Sequence, residues 1–538
     1  MSFTFHGVGT KYVRLTMVDA LSQSASVEHN VVVSSSTTSS SAPSISGFTP
    51  TSGSVGTSVT VSGTNFTGAS AVMFNGMAAA FTVVSSTSIQ TSVPSGASTG
   101  PLSLTTSAGT ATSTTAFTVS TSTPPPVTGA FYVSPTGNDS NAGTSSSPWK
   151  TIQKAANTLN AGDTVIVTAG TYSERVKMTR SGSSGSPITF QAQDTVVMQG
   201  FNIAANYIKV AAFEIANSPG TGWSDRSNGT GVYLAGSNNE ISGNYIHDTP
   251  AAGIYFTSSS NNNNVNSNRI AYAVECGIYI QGSGNLVASN DISHSRDVNS
   301  SDADGIRFFG SGNIVRGNYI HAIMLSDSPG QSPHIDAFQT WGPASNYIFE
   351  QNIYNKDSSA DQTFTIEGKY QPTGDIIIRN NVLISNKSGY DSDVNTGALG
   401  TVSNVTIVGN TMVSTTGSEF AIHVEQYQSG LVVKDNAIYN HGNSSTPYIL
   451  VDAGATNLDI GFNSVYTTNG VAPNGGSYPG DLWMVDPQFA NVSALDFHLR
   501  STSPLIDRGV NVSTLTNDYD GTARPVGTST DIGAFEYH

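Results

Sequence analysis

The chain has 538 residues, only 11% of them charged, with 37 Asp and Glu against 21 Lys and Arg and a formal net charge of −16. That balance argues against nucleic acid or an anionic membrane as partner, since both need basic patches. With 37% hydrophobic residues and 54 glycines it suits turn-rich β structure. The single cysteine, Cys276, rules out an internal disulfide framework or a cysteine-built metal site and reads as a small buried residue. No run approaches the roughly 20 apolar residues of a membrane span.

Residues 1–7 show no basic, apolar leader pattern, so the chain reads as beginning inside a longer protein. Residues 1–34 alternate in strand fashion, with Tyr12, Arg14 and Thr16 set against Val13, Leu15 and Met17. They are too few for a sandwich, and resemble the last strands of a PKD or immunoglobulin-like module. A Ser/Thr linker is expected over 35–43. Residues 44–120 carry short strands with turn residues at regular spacing. Their opening Ile45-Ser46-Gly47-Phe48-Thr49-Pro50, with Val72-Met73-Phe74-Asn75-Gly76 and the closing Ala116-Phe117-Thr118-Val119, resembles an IPT/TIG module. The resemblance implies an immunoglobulin-like sandwich that acts as a spacer or weak binder. Pro124-Pro125-Pro126 makes 121–129 a stiff linker.

From residue 130 the texture changes. Ser147 as N-cap, Pro148 at the first helical position and apolar Trp149, Ile152, Ala156 and Leu159 predict a helix over 147–160. Only strands follow, and an asparagine before a strand start recurs at 244, 268, 290, 318, 352, 381, 410, 436 and 463. Units of this length with no helix predict stacked coils, a right-handed parallel β-helix over 130–538. Asparagine suits a tight left-handed corner, and its amide can bond its counterpart one coil away. The helix is expected to cap one end of the coil. The departing C-terminal runs, Asp486-Pro487-Gln488-Phe489 through Asp531-Ile532-Gly533-Ala534-Phe535-Glu536, would cap the other.

Phe131-Tyr132-Val133-Ser134-Pro135-Thr136-Gly137-Asn138-Asp139, Pro148-Trp149-Lys150-Thr151-Ile152 and Gly162-Asp163-Thr164-Val165 resemble the opening of secreted β-helix proteins. These include the family 9 pectate lyases and the family 6 chondroitinase B and alginate lyases. The resemblance implies a bacterial polysaccharide-active enzyme, secreted or attached to the cell surface. An acidic polysaccharide substrate is implied, with no nucleic acid partner, no membrane span and a monomeric state.

Outward residues at equivalent places in successive coils form columns that can act on a bound chain. Polar groups appear abruptly after the aromatic Gly277-Ile278-Tyr279: Asp302-Ala303-Asp304-Gly305-Ile306-Arg307, His334-Ile335-Asp336-Ala337-Phe338-Gln339-Thr340-Trp341, then Thr365-Ile366-Glu367-Gly368-Lys369-Tyr370. A β-elimination needs a cation to neutralise a uronate carboxyl and a base beside it. Family 9 lyases carry an Asn-Ala-Asp-Gly coil, then an Asp-Asp-Gly-x-Asp coil holding calcium, then a lysine. Asp304, Asp336 and Lys369 fall at matching places, while Ile335 and Gln339 replace two of the calcium aspartates. That resemblance gives Asp304, Asp336 and Lys369 as candidate catalytic residues, and the polar cluster around them adds His334 and Arg307. A calcium ion would fall to Asp302, Asp304, Asp336 and Glu367. Gln339, Trp341, Tyr370, Tyr279 and His423 are the candidate substrate contacts, the aromatic rings by stacking on sugars. The alternatives are an inverting glycoside hydrolase of polygalacturonase-like layout, using Asp304 and Asp336 with Asp302 or Glu367 as third acid, and a surface β-helix that only binds glycan.

Overall fold

A computed structural model describes residues 9–18, 24–33, 41–53, 57–79, 81–94, 97–106, 108–119, 130–298, 302–355, 362–386 and 388–538. Most of the Ser/Thr linker expected at 35–43 and the whole of the 121–129 linker lie outside these residues. The chain divides into two compact units, 1–120 and 121–538.

In the first unit, Gly9–Val18 pairs antiparallel with Ser24–Val33. The residues from Ser44 onward form two sheets, of four and five strands, closed over Phe48, Val59, Val61, Phe66, Val72, Phe74, Ile89, Leu102, Leu104 and Phe117. Alternation of apolar and hydroxyl residues, as in Ser58–Thr64, turns one face of each strand inward.

The second unit is a parallel β-solenoid of about ten coils, each strand pairing with its counterpart one coil later. One inward column runs Val232, Ile254, Ile278, Ile306, Phe338, Phe364, Val394, Ile422 and Ile449. All but the last are fully buried, and burial of each such side chain contributes roughly 2 kcal/mol.

The nine spaced asparagines form one continuous buried ladder. Each backbone N–H from Asn244 to Asn436 donates to the next Oδ1 at 2.9 to 3.0 Å, and Asp481 accepts from Asn463 at the end. The left-handed corner belongs to the preceding residue: Gly243, Ser267, Ser289, Gly317, Gln351, Asn380, Gly409, Asp435 and Phe462 all have positive φ. The asparagines therefore serve hydrogen bonding, and their neighbours make the turn. A second ladder, Asn239, Asn263, Asn285 and Asn313, runs beside another corner.

The helix starts later than expected, spanning Ile152–Thr158 with Thr151 as N-cap accepting from Lys154 N–H. Ser147 instead pairs with Thr144 in a tight turn, and Asp139 receives the N–H groups of Lys150 and Thr151. The helix buries Ile152, Ala155 and Ala156 in the same core as Val133, Val165 and Val167 of the first coils.

The C-terminal run does not close the far end. Phe489, Phe497, Leu499, Leu505, Ile532, Ala534 and Phe535 pack along the coils against Val382, Ile384, Val413 and Ala437. Those four apolar residues face out of their sheet and need a cover.

Candidate active site

The outward column of the sheet built from Val232–Leu234, Ile254–Phe256, Cys276–Ile280, Asp304–Phe308 and Asp336–Thr340 changes character along its length. It reads Tyr233, Tyr255, Tyr279, then Arg307, Gln339, Thr365, Asn395 and His423. Tyr233, Tyr255, Tyr279 and Phe309 stack successively at 4.8 to 5.3 Å between ring centroids. Both faces of Tyr279 are therefore covered by protein, which leaves it as packing for the polar cluster and not as a platform for a sugar ring.

Arg307 is the centre of that cluster. Its side chain is 4% exposed; Nε donates to Asp304 at 2.7 Å, Nη1 to Glu275 at 3.0 Å, and Nη2 lies 3.0 Å from Asp302. The guanidinium sits 5.8 Å from the ring centroid of Trp223 and 5.3 Å from that of Trp341. Asp304 also accepts Asp336 N–H at 3.0 Å, and Asp336 accepts Gln362 N–H at 3.2 Å while its other oxygen faces His334 Nδ1 at 3.2 Å. Asp302 and His334 bridge between adjacent coils. The structure thus joins Asp302, Asp304, Arg307, His334 and Asp336 into one network.

Electrostatics follow from burial. Loss of water pushes the Asp304 carboxyl up to about 7 despite Arg307, with Asp336 and Asp302 adding repulsion. Burial likewise raises Asp302 and Glu275 against the opposing pull of Arg307. It raises Glu367 too, against Lys369. The charges of Asp336, Glu425 and His334 are also felt by Glu367, which sets it facing the same surface.

Access separates these groups. Asp304 and Asp336 are fully buried, whereas the His334 side chain is 42% exposed and Lys369 and Tyr370 stand in solvent, the ammonium 5.5 Å from the Tyr370 ring centroid. Gln339 is buried between Arg307 and Thr365 in the same column, and Trp341 packs edge-on against Phe309. His423 is separated from the Arg307 network by the coils of Thr365 and Asn395. It lies 3.8 Å from Glu425 and 3.4 Å from Asp452, and these three are the group among the described residues whose ligand atoms could share a metal ion.

Calcium does not fit the set Asp302, Asp304, Asp336 and Glu367. It needs six to eight oxygens at roughly 2.3–2.6 Å around one point. Here the oxygens of Asp302 and Asp304 are turned onto a guanidinium, those of Asp336 onto a backbone amide and an imidazole. Glu367 follows Ile366, the partner of Thr340, and so falls beside Trp341 in a different column.

Sequence reasoning missed Glu275, Trp223 and Asp452. Glu275 occupies a left-handed corner at φ 70°, where its carboxylate reaches the next coil. Its one sequence signal is a carboxylate immediately before the Cys276-Gly277-Ile278 strand. Trp223 comes from a short 3-10 turn, Trp223–Asp225, folded over Tyr255 and Tyr279. His247, His294 and His321, outside this sheet, pair with Asp248, Asp327 and Asp291 respectively. Cys276 is buried, its thiol pushed well above its ordinary range by burial.

A parallel β-helix with a row of aromatic and charged side chains along one sheet is the class that this fold and site define. Residues 131–419 match the family described as Pel9A-like, right handed beta helix region, and 43–120 match the IPT/TIG domain. The chain belongs to the Pel9A-like β-helix family. It is 26% identical over 377 residues to the uncharacterized protein YwoF of Bacillus subtilis (strain 168), covering 65% of this chain and 70% of that one. Pectate lyase PEL9 of Emericella nidulans is 35% identical over 74 residues, 13% of this chain and 18% of the lyase. The crystal structure of pectate lyase Pel9A superposes over 76% of this chain and 96% of its own, at 19% identity and a TM-score of 0.50.

Proposed function

We propose that this protein is a polysaccharide lyase that cleaves a uronate-containing chain lying along the Arg307 to His423 column. The observation that carries the reading is the division of access: Lys369 and His334 reach solvent, while Asp304 and Asp336 do not. A hydrolase needs a carboxylic acid and a carboxylate on either side of the scissile bond, and both of these carboxyls are engaged by backbone N–H groups.

In the proposed step the Lys369 nitrogen, once its extra proton has passed to water, takes the proton from the carbon beside the uronate carboxyl. The C–H electron pair becomes the ring double bond, the glycosidic C–O bond breaks, and the leaving oxygen takes a proton from water. His334, its Nδ1 3.2 Å from the buried Asp336, meets the uronate carboxyl. Tyr370, 66% exposed, lies beside the base as a stacking surface. A secreted or surface-attached location belongs to the same reading, because polysaccharides of this kind lie outside the cell.

Pectic, alginate, glycosaminoglycan and neutral glucan substrates, assayed together for ultraviolet absorbance and reducing ends, test it. The expected result is an absorbing unsaturated product that Lys369→Ala abolishes in a folded protein. Saturated products would favour hydrolysis with Glu367 as acid, the one raised and partly exposed carboxyl near Lys369. Absence of turnover on all four would favour a surface glycan binder.

A further inference from the structure

We infer that the Arg307 guanidinium stands in the place of a metal ion, so that the carboxylates of this groove are neutralised by a side chain and the site assembles without calcium. The inference deepens the reading of this groove as the active site and rests on it.

Three nitrogens of one guanidinium meet three carboxylates contributed by two successive coils: Glu275 from the first, Asp302 and Asp304 from the second. A planar fork of donors matches such a set better than a point charge. Trp223 and Trp341 near the guanidinium keep water away and favour a delocalised cation. A divalent ion entering here would have to share these oxygens with a positive charge already bonded to them.

Arg307 pairs with Gln339 on the next coil. A neutral amide beside the guanidinium, its Oε1 buried without a hydrogen bond, stands where a metal-binding carboxylate would be expected. Arg307 is a positioning residue in this scheme: it holds Asp304, which accepts the N–H of Asp336, which in turn faces His334.

The full-length protein, stripped with EDTA, is titrated with calcium chloride by calorimetry, and its melting temperature is read with and without the ion. Wild type is expected to show no binding that Asp304→Asn removes, and no shift in melting. Heat lost in Glu425→Gln but kept in Asp304→Asn places an ion at His423, Glu425 and Asp452 and leaves the inference standing. Arg307→Ala, which leaves Glu275, Asp302 and Asp304 around an open space, is expected to gain a melting temperature that rises with calcium, whereas Arg307→Lys is not. Wild-type binding abolished by Asp304→Asn overturns the inference, and so does a folded Arg307→Ala that gains no calcium response. If Arg307→Ala does not fold, the wild-type titration decides alone. Turnover is measured separately: its absence would sink the proposed lyase activity without touching the calcium result, and turnover lost in EDTA and restored by calcium in Glu425→Gln as in wild type would overturn the inference directly.

Discussion

Replacing Asn352 by alanine tests whether the ladder holds the coils together. The Asn352 side chain is fully buried and makes four hydrogen bonds. Oδ1 accepts the backbone and side-chain N–H groups of Asn318, both at 3.0 Å, and Nδ2 donates to Val315 O at 3.0 Å and Asn381 Oδ1 at 2.9 Å. At a net contribution of about 1 kcal/mol per bond, with the Asn318 backbone N–H then left buried and unpaired, Asn352→Ala is expected to cost about 4 kcal/mol. That exceeds the usual range for a single substitution. All four tryptophans, Trp149, Trp223, Trp341 and Trp483, lie in the second unit, so their fluorescence during urea unfolding of the full chain reports on the β-helix alone. Asn469→Ala, which removes one exposed bond to Val471 N–H, is the control and should shift the transition by less than about 1 kcal/mol. A loss no larger than this control would refute the claim that the ladder bonds the coils.

Three further outcomes are expected. The Asp304 carboxyl titrates near 3.8 ordinarily and near 7 when folded, so between these values the native chain keeps a proton that the unfolded chain has lost, and this contribution makes stability fall as pH rises; melting curves of Asp304→Asn should lack that part of the slope. His498 is raised to about 10, its hydrogen bonds to Asp496 and Asp520 outweighing burial, so its contribution is full below about pH 6.5 and fades towards pH 10. The melting difference between wild type and His498→Gln should shrink over that window. A chain beginning near Gly129 should retain turnover on soluble substrate, because the Arg307 network and Lys369 all lie in the second unit; complete loss in a folded truncation would mean the active site is elsewhere.

The coil period was legible because a buried amide ladder demands the same residue at every corner, whatever the loop length between. Asn244 through Asn463 could therefore be picked out across unequal spacings. Which residue took the strained φ was not legible, since glycine, serine, aspartate, glutamine and phenylalanine all occupy the corner before the ladder. Asp302, Asp304, His334 and Asp336 were found through their place on strands of one sheet. Exposure was the hidden variable: nothing in Asp302-Ala303-Asp304 states that Asp304 is fully buried while the Asp302 side chain keeps 29% of its surface. Glu275 escaped because a corner residue lies outside the two-residue strand alternation on which column reading depends.

Coils in a solenoid touch only their neighbours, so such a molecule can unzip one turn at a time. The C-terminal run alters that for part of this chain. Gln351 donates to Asp518 O and Tyr519 O, Asn380 to Asn517 O, Thr411 receives Ala534 N–H, and Asp435 receives Val510 N–H. One segment is thereby stitched to four consecutive coils, those that also carry Asp336, Lys369, Asn395 and His423. These coils should exchange their amide hydrogens as a single block, while the tyrosine-bearing coils before them open stepwise. The stretch from Asp336 to His423 would then keep its register under conditions that already fray the coils of Glu275 and Arg307 before it.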